Sequence, residues 1–134
     1  MKTLGLVVAQ FNRAVTEEME ASATEAAEEE GAEIGTTVPV PGVYDSPLAA
    51  DRLARQEDID AVCIIGAIVE GDTEHDRVIA EATARSCSAV SIDRDTPITL
   101  GVTGPGMSSA EARERVDKGQ EAVEGTLSLL EELP

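Results

Sequence analysis

Apolar and polar positions along this chain fall into two alternating kinds of segment. Short apolar runs occur at 4–9, 34–40, 61–69 and 98–103. They are rich in Val and Ile and lack strict polar alternation, the pattern of strands covered on both faces. Longer stretches of helical spacing lie between and after them. Residues 14–30 carry Val15, Met19, Ala23, Ala26 and Ala27 on one side and glutamates on the other, with Gly31 as a C-terminal stop. Ser46-Pro47 reads as a cap followed by a proline in the first helical position, opening a helix over 48–55. From Thr73, the spacing of Val78, Ile79, Ala82, Ser86, Ala89 and Val90 predicts one helix that runs through 88–92 and breaks at Asp95-Thr96-Pro97. Ser108 or Ser109 opens a last helix through Val116, Val123, Leu127 and Leu130. Strand and helix thus alternate through the chain. With right-handed crossovers this predicts an α/β fold, a four-stranded parallel sheet with helices on both faces.

In open parallel sheets ligands bind beyond the carboxyl ends of the strands, so the four segments found there hold the candidate chemistry. They are Gln10-Phe11-Asn12-Arg13, the stretch 41–47, the stretch 70–76 and Gly104-Pro105-Gly106-Met107. Phe11 is the only Phe of the chain; it reads either as a residue capping the core or as a stacking surface for a flat ring. His75, the only His, is either a satisfied polar residue or a proton donor. It follows Gly71-Asp72-Thr73 in the first turn of a helix, where free N–H groups hold anions, which suits chemistry on a phosphorylated substrate. Asp72, Glu74 and Asp76 read as first-turn acids that complement the helix dipole, with a metal cluster as the alternative. Arg115 reads as an exposed ion-pair partner, for example of Glu111, or as a bidentate phosphate clamp. Gly104-Pro105-Gly106 lacks the Lys-Ser/Thr of a phosphate loop, and neither a dinucleotide fingerprint nor a nucleophile elbow is found.

Composition narrows the partners. The 134 residues suit one domain, taken here as 1–134, and a 42% hydrophobic content excludes a disordered chain. With one Phe, one Tyr and no Trp, the core must be Val, Ile, Leu and Ala. The balance of 27 acids against 10 bases gives a net charge of −17, which argues against nucleic acid and anionic membranes. The acids are spread over helix faces and not gathered in a tail, which points to a salt-rich cytoplasm that screens them. Cys63 and Cys87 form no metal-binding pattern, and Cys63 reads as a small core residue. Neither a signal peptide nor a run long enough to span a membrane is found, so an intracellular protein is expected.

Taken together, these segments resemble the lumazine synthase family, its archaeal branch in particular. The resemblance runs through Phe11-Asn12 and the stretch Val40-Pro41-Gly42-Val43-Tyr44-Asp45-Ser46-Pro47-Leu48-Ala49. It continues in Gly71-Asp72-Thr73-Glu74-His75, Leu100-Gly101-Val102 and Glu114-Arg115, with Glu70-Gly71 and Gly104-Pro105-Gly106-Met107 as the archaeal features. The resemblance implies a flavodoxin-like three-layer sandwich and a pentameric ring or multiples of it, with neither metal nor organic cofactor. The implied reaction joins 5-amino-6-(D-ribitylamino)uracil to 3,4-dihydroxy-2-butanone 4-phosphate, giving 6,7-dimethyl-8-ribityllumazine, phosphate and water. By position, Phe11 stacks on the pyrimidine. Val43, Tyr44 and Asp45, with Ala67, Ile68 and Val69, hold the ring and ribityl chain, and Leu100 adds backbone contacts. Asp72 and Thr73 offer donors to the phosphate and Arg115 pairs with it. His75 moves protons, and Lys118 approaches the ribityl chain.

This sequence departs from the family pattern in three places. Asp45 stands where Glu is commoner, and Leu100 where Phe is frequent. The chain also starts directly at its first strand, without the extension that pairs with a neighbouring subunit in many relatives. Two other readings share the fold: the archaeal type of riboflavin synthase, and a ligand-binding module without catalysis. His75 within its segment, together with Phe11-Asn12, argues against the first. The coincidence of the Phe11, His75 and Arg115 motifs argues against the second.

Overall fold

The computed structural model describes residues 1–69 and 75–134 of the chain. Four strands, β1 (Thr3–Ala9), β2 (Glu33–Val40), β3 (Ala61–Val69) and β4 (Ile98–Met107), form a parallel sheet in the order β2-β1-β3-β4. Helices α1 (Arg13–Glu29), α2 (Ser46–Ala54), α3 (His75–Arg94), α4 (Ser109–Arg113) and α5 (Lys118–Glu132) cover it. The chain steps outward from β1 to β2, returns across β1 to β3, and moves on to β4. Because such crossovers keep one hand, this reversal puts α1 on one face and α2 and α3 on the other. After β4, α5 comes back to pack along α1. The outcome is a parallel sheet covered by helices on both faces, as the alternation of segments predicts, in the flavodoxin-like three-layer sandwich that the resemblance implies.

Alternating side chains of the central strands feed two cores. Leu4, Leu6 and Val8 of β1 and Cys63, Ile65 and Ala67 of β3 meet Val15, Met19 and Ala23 of α1 and Val123 of α5. Val7 and Ala9, with Val62, Ile64 and Ile68, meet Ala50 and Leu53 of α2 and Cys87 of α3. Both cysteines lie in these cores, and burial pushes their thiols up, that of Cys87 to about 11. Cys63 belongs to a small polar cluster where β3, β4 and α5 meet. The Thr126 hydroxyl donates to the Ala122 carbonyl at 2.7 Å, and its oxygen lies 2.6 Å from Thr99 Oγ1 and 3.2 Å from Cys63 Sγ. On the opposite side of the sheet, Asp51 of α2 binds Arg94 of α3 at 2.7 Å and Arg55 at 2.7 Å. The hydrogen bond from Arg94 holds the Asp51 carboxyl below its usual range, with Arg55 adding to the effect. Among the described residues no helix is long and apolar enough to cross a membrane.

Four local expectations are corrected. Along β2, Glu33, Gly35, Thr37 and Pro39 are exposed. The run 34–40 is therefore an edge strand and not one covered on both faces, and its Pro39 fits that place. The helix opened near Ser46 begins at Ser46 itself. Its cap position is Asp45, at the end of a short 3-10 turn (Val43–Asp45), and the Ser46 hydroxyl is buried without a hydrogen-bond partner among the described residues. The fourth strand does not end at 103 but runs on to Met107, pairing it with Val69 beyond a register shift. The last helix is broken into α4 and α5, so that Arg115 sits in the turn between them. Ser22 of α1 makes that break tolerable: its hydroxyl donates to the Val116 carbonyl at 3.1 Å and accepts the Gln120 N–H at 3.0 Å.

Candidate active site

The strand order reverses between β1 and β3, so the crevice beyond their carboxyl ends is where a ligand has room. Backbone bonds extend the sheet into that crevice. Gln10 N–H donates to the Val40 carbonyl at 2.8 Å and Phe11 N–H to the Pro41 carbonyl at 3.0 Å. Asn12 then takes a left-handed conformation (φ 62°), which Asn tolerates better than most residues. Its side-chain amide donates to the Ala67 carbonyl at 3.0 Å and ties the end of β1 to the end of β3. Phe11 is thereby turned outward, with 69% of its surface exposed. It does not cap the core.

Opposite Phe11 lies the turn after β2. The ring rests against Gly42, where a Cβ would stand 2.9 Å from Phe11 Cδ2 and 3.1 Å from Cε2. Asp45 closes this turn: its Oδ2 accepts the Gly42 N–H at 3.0 Å, and its own N–H donates to the Gly42 carbonyl at 3.0 Å. One carboxylate oxygen of Asp45 is thus engaged in shaping the turn, and Oδ1 is the one left for a ligand hydroxyl. Val43 is buried, and Tyr44, beside it, is 66% exposed.

A cavity of about 440 Å³ opens here, lined by Phe11, Asn12, Val43, Ala67, Ile68, Val69, His75, Asp76 and Ile79. It brings together the first and third strand ends with the start of α3, where His75 stands. The lining is mostly apolar, with Asn12, His75 and Asp76 as its polar residues, the character of a site for a flat heterocycle with hydrogen-bonding edges. Asp72 and Thr73, expected to hold phosphate, lie outside the described residues, as do Glu70, Gly71 and Glu74.

Arg115 does not join this cavity. It lines a second one of about 290 Å³ with Val102, Thr103, Gly104, Met107, Asp117, Lys118 and Glu121. Lys118 lies 3.7 Å from Glu121 there. Glu111, the sequence-based ion-pair candidate for Arg115, has Oε1 on the Ser108 N–H at 3.3 Å in a capping box. Leu100, 36% exposed, sits near the start of β4 opposite Ile64 and lines neither cavity. Of the expected site residues, Phe11, Val43, Ala67, Ile68, Val69 and His75 line the first cavity, Arg115 and Lys118 line the second, and Tyr44, Asp45 and Leu100 line neither; the two linings share no residue. Sequence reasoning missed Gly42 as the seat of the Phe11 ring and Ile79 as a wall. The signal for Ile79 was its place on the helical stripe that begins beside His75.

Comparison with known proteins gives these two groups a context. The family model described as 6,7-dimethyl-8-ribityllumazine synthase matches residues 1–133. A protein of that name from Halobacterium salinarum is 67% identical over 133 residues, covering 99% of this chain and all of its own length. One from Halorubrum lacusprofundi is 62% identical, covering 99% of both chains. One from Methanocaldococcus jannaschii is 44% identical, covering 99% of this chain and 94% of its own. A full-length match at these identities, on a parallel sheet with its crevice at Phe11 and His75, places the chain in the 6,7-dimethyl-8-ribityllumazine synthase family.

Proposed function

We propose that this chain joins 5-amino-6-(D-ribitylamino)uracil to 3,4-dihydroxy-2-butanone 4-phosphate and releases 6,7-dimethyl-8-ribityllumazine, phosphate and water, in riboflavin biosynthesis. Carbon–nitrogen bonds form between an amine and a ketone, and water and phosphate leave. The steps are condensation and elimination, so the substrates balance without an oxidant or reductant, and we assign no metal or organic cofactor. Phe11 stacks on the pyrimidine. Val43, Tyr44, Asp45 and the run Ala67, Ile68, Val69 border the ring and ribityl chain. His75 moves protons as the imine forms and phosphate departs, work typically worth ~10²–10⁴ in rate. Holding two reactive substrates side by side supplies much of the remaining acceleration. Asp72 and Thr73 hold the phosphate and Arg115 pairs with it bidentately.

One observation carries the arrangement: Phe11 and His75 line one cavity, while Arg115 and Lys118 line another. A reaction that needs both groups is served when the second cavity of one chain meets the first cavity of the next. Members of this family act on small molecules and are generally oligomeric. We assign a closed ring of identical head-to-tail contacts, pentameric or a multiple of that, each contact completing one site. Leu100, exposed on β4, belongs to the Arg115 side of that contact. We place the protein in the cytoplasm, in keeping with two reduced, buried cysteines.

The test starts with purified protein, both substrates and molar salt, following the fluorescence of the lumazine product. His75→Ala should lower turnover about a hundredfold at saturating substrate. Arg115→Ala should mainly raise KM for the phosphorylated substrate. The two variants are then unfolded, mixed equally and refolded together. Random assortment around a ring makes about one quarter of sites whole. Activity near a quarter of the unmodified protein's supports the shared site. A mixture that only averages the two variants, with mixed rings shown by native mass spectrometry, refutes it.

A further inference from the structure

The extension of β4 past residue 103 joins the two cavities. Three contacts fix it. Gly104 takes a positive φ of 90° and packs so closely on β3 that a Cβ would run into the Ile68 carbonyl oxygen. Met107 pairs with Val69 at the far end. Between them the Gly106 N–H donates to Asp76 Oδ2 at 3.1 Å, across 30 residues of sequence. Asp76 stands in the first turn of α3, next to His75, and lines the Phe11 cavity. Gly104 and Met107 line the Arg115 cavity. Beyond Met107 the chain passes through the short α4 to Arg115 itself.

We propose that Asp76 is a positioning residue for the condensation. Its carboxylate ties the end of β4 to the start of α3 and so sets the distance between the His75 side and the Arg115 side of each chain. This rests on the reading of function above and deepens it. In a ring, one chain contributes its His75 side to one site and its Arg115 side to the next. A chain whose two sides are held at a fixed spacing sets where Arg115 meets the phosphate in the neighbouring site. The tie is solvent-exposed, and water replaces a lost exposed hydrogen bond at little cost, so its removal loosens the 104–107 segment without unfolding the sheet.

Asp76→Ala removes the acceptor, and Asp76→Asn keeps an oxygen for the Gly106 N–H. The experiment measures steady-state kinetics for each substrate, thermal melting, and deuterium uptake of the peptide spanning 104–107 by mass spectrometry. For Asp76→Ala we expect faster exchange in that peptide and kcat/KM down about tenfold, mostly through KM for the phosphorylated substrate, with Tm nearly unchanged. Asp76→Asn should restore both exchange and KM to within about twofold of the parent. The proposal is overturned by parental kinetics and exchange in Asp76→Ala. It is equally overturned if Asp76→Asn recovers slow exchange but not activity, because the carboxylate would then act through its charge. A fall of Tm in step with activity overturns it too, by reducing Asp76 to a general structural role. If the unmodified protein forms no lumazine, the assigned reaction fails. The exchange of 104–107 still decides whether Asp76 holds the segment.

Discussion

The position of the Phe11 ring is governed by what Gly42 lacks. Gly42 has an ordinary extended backbone (φ −143°), so alanine there brings no backbone strain, only a methyl group 2.9 Å from the ring edge. Phe11 is exposed enough to swing away, and the fold should be indifferent. Gly42→Ala should therefore raise KM for the aminouracil about five- to tenfold, roughly 1–1.4 kcal/mol, with Tm and KM for the phosphorylated substrate unchanged. Parental KM values for both substrates would show that the ring does not carry the heterocycle. At this scale the sequence was legible where rarity did the pointing, as with the only Phe and the only His. Gly42 beneath the ring and Asp76 beneath Gly106 were not legible, because each acts on a partner about 30 residues away that only the folded strand ends bring near.

At the scale of elements, the strands and the long α3 followed from their apolar spacing. The break in the last helix did not. Its cause is Ser22 on α1, which satisfies a carbonyl and an N–H that an unbroken helix would have paired internally. The continuation of β4 was hidden for the opposite reason: Gly-Pro-Gly is a local turn signal, overruled here by pairing with Val69. Packing of α5 on the sheet depends on the hydroxyl cluster as well as on apolar contact. Thr126→Val keeps the shape of the side chain but leaves Thr99 and the Cys63 thiol without that oxygen. We expect a loss of about 1–2 kcal/mol, read as a fall in Tm of about 3–6 °C. Adding Thr99→Val should cost less than the sum of the two single changes, since the Thr99–Thr126 bond is already lost in the first and only the Thr99 bond to Cys63 Sγ remains to be removed. Strict additivity would show that the three groups do not act as one cluster.

At the scale of the whole molecule, charge outweighs any single contact. A net charge of −17 is carried on a chain with only two lysines and eight arginines. Ion pairs among the described residues engage Glu20, Asp51 and Glu121, each on or near the surface, where such pairs contribute little. The compact state therefore carries self-repulsion that only dissolved ions relieve. The relatives from halophilic archaea share most of this sequence, at 67% and 62% identity. Between dilute buffer and molar potassium chloride, Tm should rise by on the order of 10 °C, equivalent to about 3 kcal/mol at this chain length. A Tm independent of salt would mean that the acidic surface is neutral to stability. Assembly into the ring proposed above should show the same dependence, because joining acidic chains multiplies the repulsion.

The scarcity of aromatic rings has a spectroscopic consequence. With no Trp and one Tyr, tyrosine emission of this protein comes from a single point, Tyr44, exposed and next in sequence to Val43, which lines the Phe11 cavity. A pyrimidine or lumazine chromophore bound there lies within easy range of energy transfer from that phenol. Titrating either into the protein should quench the tyrosine band in proportion to occupancy, with no label attached. Tyr44→Phe supplies a dark reference of nearly the same shape.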